Sequence, residues 1–109
     1  ASHNPNGVQA LRENLDYYFP EANRRFVFGC LKTKDYEKMM KILFREGDEI
    51  YLNEFDYPNA CKFEELQQKC PIKANKYSNQ ELTPDKLNII CGSFYMIGGM
   101  KINGRNVTE

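Results

Sequence analysis

The chain has 109 residues, with 15 basic and 15 acidic side chains that cancel and a single histidine. That length fits one domain with a core of its own. The balanced charge gives no basis for nucleic-acid binding, polybasic membrane attachment or an acidic tail, and no apolar stretch approaches the roughly 20 residues of a membrane span.

The first element predicted in chain order is a helix. Asn4 suits an N-cap, and Pro5 suits the first helical position, where its missing N–H is not needed. Val8, Leu11, Leu15 and Tyr18 then recur at helical spacing until Pro20. "RFVFGCL", residues 25–31, is short, β-rich and nearly continuous, as a strand buried on both faces would be. Tyr36, Met39, Met40 and Leu43 mark a second helix, with Gly47 as its expected stop.

"DEIYLNEF", residues 48–55, predicts a second strand and "DYPNAC" a loop. Phe63, Leu66 and Cys70 predict a short helix closed by Pro71, and "IKANKY" a brief strand. Ser78-x-x-Glu81 has the form of a capping box and predicts a weak helix within residues 75–86. "KLNIICGS" predicts the last strand, "FYMIGGMKI" a closing helix, and residues 105–109 a polar tail after a domain of residues 1–104. Strands alternating with amphipathic helices imply an α/β domain, Rossmann-like, with a mostly parallel sheet and helices on both faces. Such folds usually begin on a strand, so a helix in first place leads us to expect a truncated first strand. The absence of an initial Met fits an excised piece.

Cys30, Cys61, Cys70 and Cys91 are sparse, form no CxxC pair and have no suitably spaced histidine. Four reduced thiols in a cytoplasmic protein, and no metal site, are expected.

In open α/β sheets ligands collect at the carboxyl ends of strands. Three segments belong there: "SHNPNG", "GCLKTKD" and "CGSFY". Each leads into a helix N-terminus, where free N–H groups favour carboxylates or phosphates. "GCLKTKD" lacks the second glycine of a phosphate loop. "CGSFY" is not a hydrolase elbow, because Gly92 directly precedes Ser93 and no histidine follows. Taken singly, Asp35 reads as a first-turn acid, Ser93 as a helix cap, and His3 as an exposed residue near a terminus.

Taken together, "SHNPNGVQAL", "FVFGCLKTKDYEKMM", "DEIYLNEFDYPNA" and "IICGSFYMIGG" resemble, in order and spacing, the C-terminal domain of bacterial folylpolyglutamate synthase / dihydrofolate synthase, of the Mur ligase superfamily. The resemblance implies part of an ATP-dependent amide ligase that adds L-glutamate to folate or dihydropteroate. An N-terminal P-loop domain of the parent would bind ATP and Mg²⁺. ATP would phosphorylate the acceptor carboxylate, and the glutamate amine would attack the acyl phosphate. The C-terminal domain would close over the nucleotide and glutamate cleft, with no catalytic residue of its own, and the isolated piece would be an inactive monomer.

Residue by residue, the resemblance places His3 on the cleft, with Asn4 and Pro5 shaping its turn. Lys34 would attract a glutamate carboxylate. Asp35 would hold Lys34 or cap the helix, and Ser93 would offer a hydroxyl and an N–H to that carboxylate. Two departures stand out. The family's aspartate three residues before the histidine lies beyond Ala1, and Asn59 replaces a frequent arginine after Pro58. The alternatives are a stand-alone flavodoxin-like module that binds a small anion, and a Mur-type ligase domain outside folate metabolism.

Overall fold

The computed structural model describes residues 4–106; His3, the first of the expected cleft residues, lies outside them. Helix α1 (Pro5–Tyr18) begins as expected. The Asn4 side chain accepts from the Gly7 N–H at 2.8 Å, and proline opens the first turn. Strand β1 (Arg24–Phe28), helix α2 (Tyr36–Leu43), strand β2 (Glu49–Leu52), helix α3 (Phe63–Lys69), and strands β3 (Asn75–Lys76) and β4 (Leu87–Cys91) follow. The four strands form one parallel sheet in the order β3-β2-β1-β4. Helix α4 (Phe94–Gly99) and an antiparallel pair, β5 (Lys101–Ile102) and β6 (Arg105–Asn106), complete the fold. Among the described residues no strand precedes α1.

Strand periodicity splits the core in two. Phe26, Phe28, Ile50, Leu52, Ile89 and Cys91 pack with Val8 and Leu15 of α1, Met39, Met40 and Leu43 of α2, and Leu66 of α3. Val27 faces the other way, with Tyr77, Leu82, Met96 and Met100, beside the partly buried Tyr51 and Ile90. Every residue of β1 is buried, as expected of a central parallel strand. Helices α1 to α3 therefore cover one face, and α4 with the β5–β6 hairpin covers the other.

Charged residues fasten the amino edge of the sheet. Arg25 shares a row of the ladder with Glu49 and Asn88. Its guanidinium donates to Glu49 at 2.7 Å, to Asn88 Oδ1 at 2.9 Å and to the Thr83 carbonyl at 3.1 Å. Arg24, on the opposite face, donates to the Phe19 carbonyl at 2.9 Å and so satisfies the C-terminal end of α1.

Four local expectations are corrected. Helix α2 stops at Leu43 rather than at Gly47, because Phe44 turns extended and packs its ring 5.3 Å from Phe26. Gly47 instead serves a turn at φ +94°, closed by paired contacts between Arg45 and Asp48. The helix expected within residues 75–86 is absent. Gln80 ties its side chain to the Ser78 N–H and the Lys76 carbonyl, and Asn79 sits at φ +62°, which interrupts a right-handed helix.

The last helix ends at Gly99, and Lys101–Ile102 continues as a strand. Arg105–Asn106, expected in a polar tail, is its partner strand. Asn103 and Gly104 turn between them at φ +50° and φ +82°, as a tight hairpin requires.

Candidate functional site

Strands β1 and β4 lie side by side but lead to helices on opposite faces, α2 and α4. Their carboxyl ends thus form a topological switch point, the usual ligand position in an open α/β sheet. Two glycines make the junction. Gly29 donates its N–H to the Cys91 carbonyl at 3.4 Å, and Gly92 sits at φ +111°. Side chains cannot be added to either without collision. A Cβ on Gly29 would stand 2.5 Å from Met96 Sδ and 2.7 Å from the Asn53 carbonyl oxygen.

Where the two chain segments part, they leave a cavity of ≈ 450 Å³ lined by Leu31, Thr33, Lys34, Ser93 and neighbours. The structure therefore brings Lys34 and Ser93, 59 positions apart in the numbering, to one crevice. Lys34 is exposed and has no ion-pair partner among the described residues. Ser93 is buried and caps α4, its hydroxyl oxygen accepting from the Tyr95 N–H at 3.2 Å. That contact leaves its hydroxyl proton available to a ligand.

Asp35 is not among the residues lining this cavity. It caps α2, accepting from the Lys38 N–H at 3.3 Å, and makes no ion pair with Lys34. Of the two roles expected for it, the structure shows the cap. Asn4 also caps its helix and does not line the cavity.

The β1–α2 loop is braced from behind by a segment the sequence left as plain loop. The Asn59 carbonyl accepts from the Lys32 N–H at 2.7 Å, and the Cys30 carbonyl accepts from the Cys61 N–H at 2.8 Å. Asn59 holds φ +64°, a conformation asparagine tolerates better than most residues. At this place, where the resemblance leads one to expect arginine, the residue serves the turn.

Behind the crevice lie buried thiols. All four cysteines are free. Burial pushes the Cys30 thiol up to about 11, and those of Cys61 and Cys91 up to about 12. They are packing groups rather than nucleophiles. Among the described residues no group of three or more His, Cys, Asp or Glu could hold a metal ion, and no helix is long and apolar enough to cross a membrane.

A four-stranded parallel sheet with helices on both faces and a crevice at the switch point define the class: a Rossmann-like α/β domain. Within that class, the chain resembles folylpolyglutamate synthase / dihydrofolate synthase. It is 26% identical to the dihydrofolate synthase/folylpolyglutamate synthase of Bacillus subtilis (strain 168) over 110 residues, covering 92% of this chain and 26% of that enzyme. The Yersinia pestis bifunctional enzyme, solved with AMPPNP and a Mn ion, superposes with a TM-score of 0.75 at 24% identity, over 88% of this chain and 25% of that one. A bifunctional enzyme solved with Mn, AMPPNP and L-glutamate superposes with a TM-score of 0.74, also at 24% identity and over 88% and 25% of the two chains. The chain thus spans about a quarter of the length of these relatives. No family model matches it.

Proposed function

We propose that this domain serves an ATP-dependent ligase that joins L-glutamate to folate or dihydropteroate, and that its switch-point crevice holds the incoming glutamate. The observation that carries this reading is the convergence of Lys34 and Ser93 on one cavity. A relative of the same fold is solved with L-glutamate bound.

In this reading the Lys34 ammonium supplies a point charge to a glutamate carboxylate. Ser93 donates its hydroxyl proton to the same group. Gly92, without a side chain, keeps the backbone open to close approach. Two anchors on one carboxylate fix the orientation of the amine, and orientation is the main service a closing domain gives to a nucleophile. ATP and Mg²⁺ supply the activation of the acceptor carboxylate. The sequence has no phosphate loop, and the described residues include no metal-binding cluster, so those groups are assigned to another domain of the parent. His3 belongs, in this reading, to the wider nucleotide and glutamate cleft of the parent, with Asn4 shaping its turn as the cap of α1. We assign the domain to a cytoplasmic, monomeric protein and extend it through Asn106, the end of the β5–β6 hairpin.

The isolated chain should turn over no ATP when given folate and L-glutamate; ADP release above background from pure material contradicts the proposal. In a longer protein carrying the domain, Lys34→Ala should raise KM for L-glutamate with little change in KM for ATP. The alternative, a stand-alone small-anion module, is favoured by the unpaired Lys34. It requires micromolar affinity of the isolated chain for an anion other than glutamate.

A further inference from the structure

The sequence contains two Asn-Gly pairs, Asn6-Gly7 and Asn103-Gly104. In such a pair the backbone nitrogen of the glycine can attack the side-chain carbonyl carbon of the asparagine. The new C–N bond closes a succinimide ring, the bond to Nδ2 breaks, and ammonia leaves. Water then opens the ring on either side. The products are aspartate and isoaspartate, in which the backbone runs through the former side chain. Glycine favours the closure because it has no side chain to obstruct its own nitrogen.

Both asparagines are exposed, so access to water does not separate them. Their backbones do. Asn6 lies in the first turn of α1, and the Gly7 N–H is engaged, donating to Asn4 Oδ1 at 2.8 Å. Asn103 sits in the turn of the β5–β6 hairpin at φ +50°, and the Gly104 N–H makes no hydrogen bond among the described residues. A left-handed backbone is disfavoured for residues other than glycine, which lowers the cost of leaving it for the ring-closing conformation. Each strand of the hairpin has two residues, and so short a ladder is marginal by itself.

The side chain that would react is also the one that seats the hairpin. Asn103 Oδ1 accepts from the Leu82 N–H at 2.8 Å, and Nδ2 donates to the Leu82 carbonyl at 3.2 Å. Aspartate has no donor for that carbonyl and turns a negative oxygen toward it. Isoaspartate adds a carbon to the backbone of a two-residue turn whose geometry is matched to its strands. Neither product restores both bonds.

We propose that Asn103 is a site of spontaneous deamidation, and that its conversion releases the β5–β6 hairpin from the loop before β4. The release runs one way, because the ammonia is lost. It loosens the α4 face, where Met100, Lys101, Asn103 and Gly104 line one side of a cavity of ≈ 580 Å³. The proposal is independent of the ligase reading: neither Lys34 nor Ser93 takes part in it.

The test ages the folded chain in mildly alkaline buffer and follows both asparagines by peptide mapping, with fragmentation that tells isoaspartate from aspartate. Asn103 should convert about tenfold faster than Asn6, as expected when one backbone opens locally and the other is held. Amide hydrogen exchange at Leu82 and residues 101–105 should then rise about tenfold in the aged chain, the scale of a lost hydrogen bond. The amides of β1 should stay protected. Asn103→Asp, which starts as one of the products, should show the faster hairpin exchange without ageing and release no ammonia from this turn. Equal or slower conversion at Asn103, or hairpin exchange unchanged by either ageing or Asn103→Asp, overturns the proposal.

Discussion

A methyl group added to Gly92 would stand 2.2 Å from the Gly29 carbonyl oxygen. These two residues end neighbouring strands, and their contact brings the segment bearing Lys34 against the one bearing Ser93. Backbone against backbone cannot be relieved by a rotamer change, and the φ of +111° at Gly92 already disfavours any side chain. Gly92→Ala should therefore cost about 3 kcal/mol or more, combining overpacking with left-handed strain. Gly98, inside α4, has nothing within 4 Å of an added Cβ, so Gly98→Ala should be neutral or stabilise by up to about 1 kcal/mol. Denaturant unfolding of the two variants checks both signs.

Lys34 and Asp35 are adjacent in sequence but separable by experiment. Asp35→Ala removes the α2 cap and should cost about 1 kcal/mol of stability while leaving the crevice able to take L-glutamate. Lys34→Ala should leave stability within about 0.5 kcal/mol and abolish that binding. The reverse pattern would assign the charge at this turn to the wrong residue.

The buried thiols should resist alkylation. With Cys30, Cys61 and Cys91 buried and held at about 11 to 12, a thiol reagent at pH 8 should modify Cys70 first, the least buried of the set. All four should react once the chain is unfolded. Fast native-state modification of Cys30 would show that the β1–α2 loop opens.

Acid should loosen the amino edge of the sheet through Glu49. Burial alone would raise its pKa, but the bonds from Arg25, Tyr51 and Lys86 outweigh this and hold it below the ordinary value of 4.5. A carboxylate lowered on folding stabilises the native state above its unfolded pKa, and that stabilisation is lost as pH falls through the folded value. Stability should therefore decline below pH 4.5. Glu49→Gln should cost roughly 1–3 kcal/mol at neutral pH, the scale of a charged hydrogen bond, and should flatten that acid limb.

The sheet was legible in the sequence because buried parallel strands are short apolar runs, and "RFVF" and "NIIC" can hardly be anything else. Helix α1 was legible from its Asn-Pro start. The segments bearing Lys34 and Ser93 stood out because strand ends followed by helices locate ligands, while the roles expected of the two residues came from the family resemblance. The tertiary ties were not legible. Asn103 is bonded to Leu82, 21 positions away, and Asn59 holds the Lys32 N–H. The Asn103-Gly104 pair was a readable hairpin signal that the polar composition around it obscured. The false helix at Ser78–Glu81 shows that a capping pattern does not make a helix when a neighbouring side chain claims the backbone first.

The central claim is that the switch-point crevice is a glutamate site built on Lys34. It is tested most directly by amide NMR of the isolated chain titrated with L-glutamate into the millimolar range. The account predicts weak, saturable shifts confined to residues 31–35 and 92–95, absent in Lys34→Ala. Shifts elsewhere, or a response that survives loss of the Lys34 charge, would contradict it.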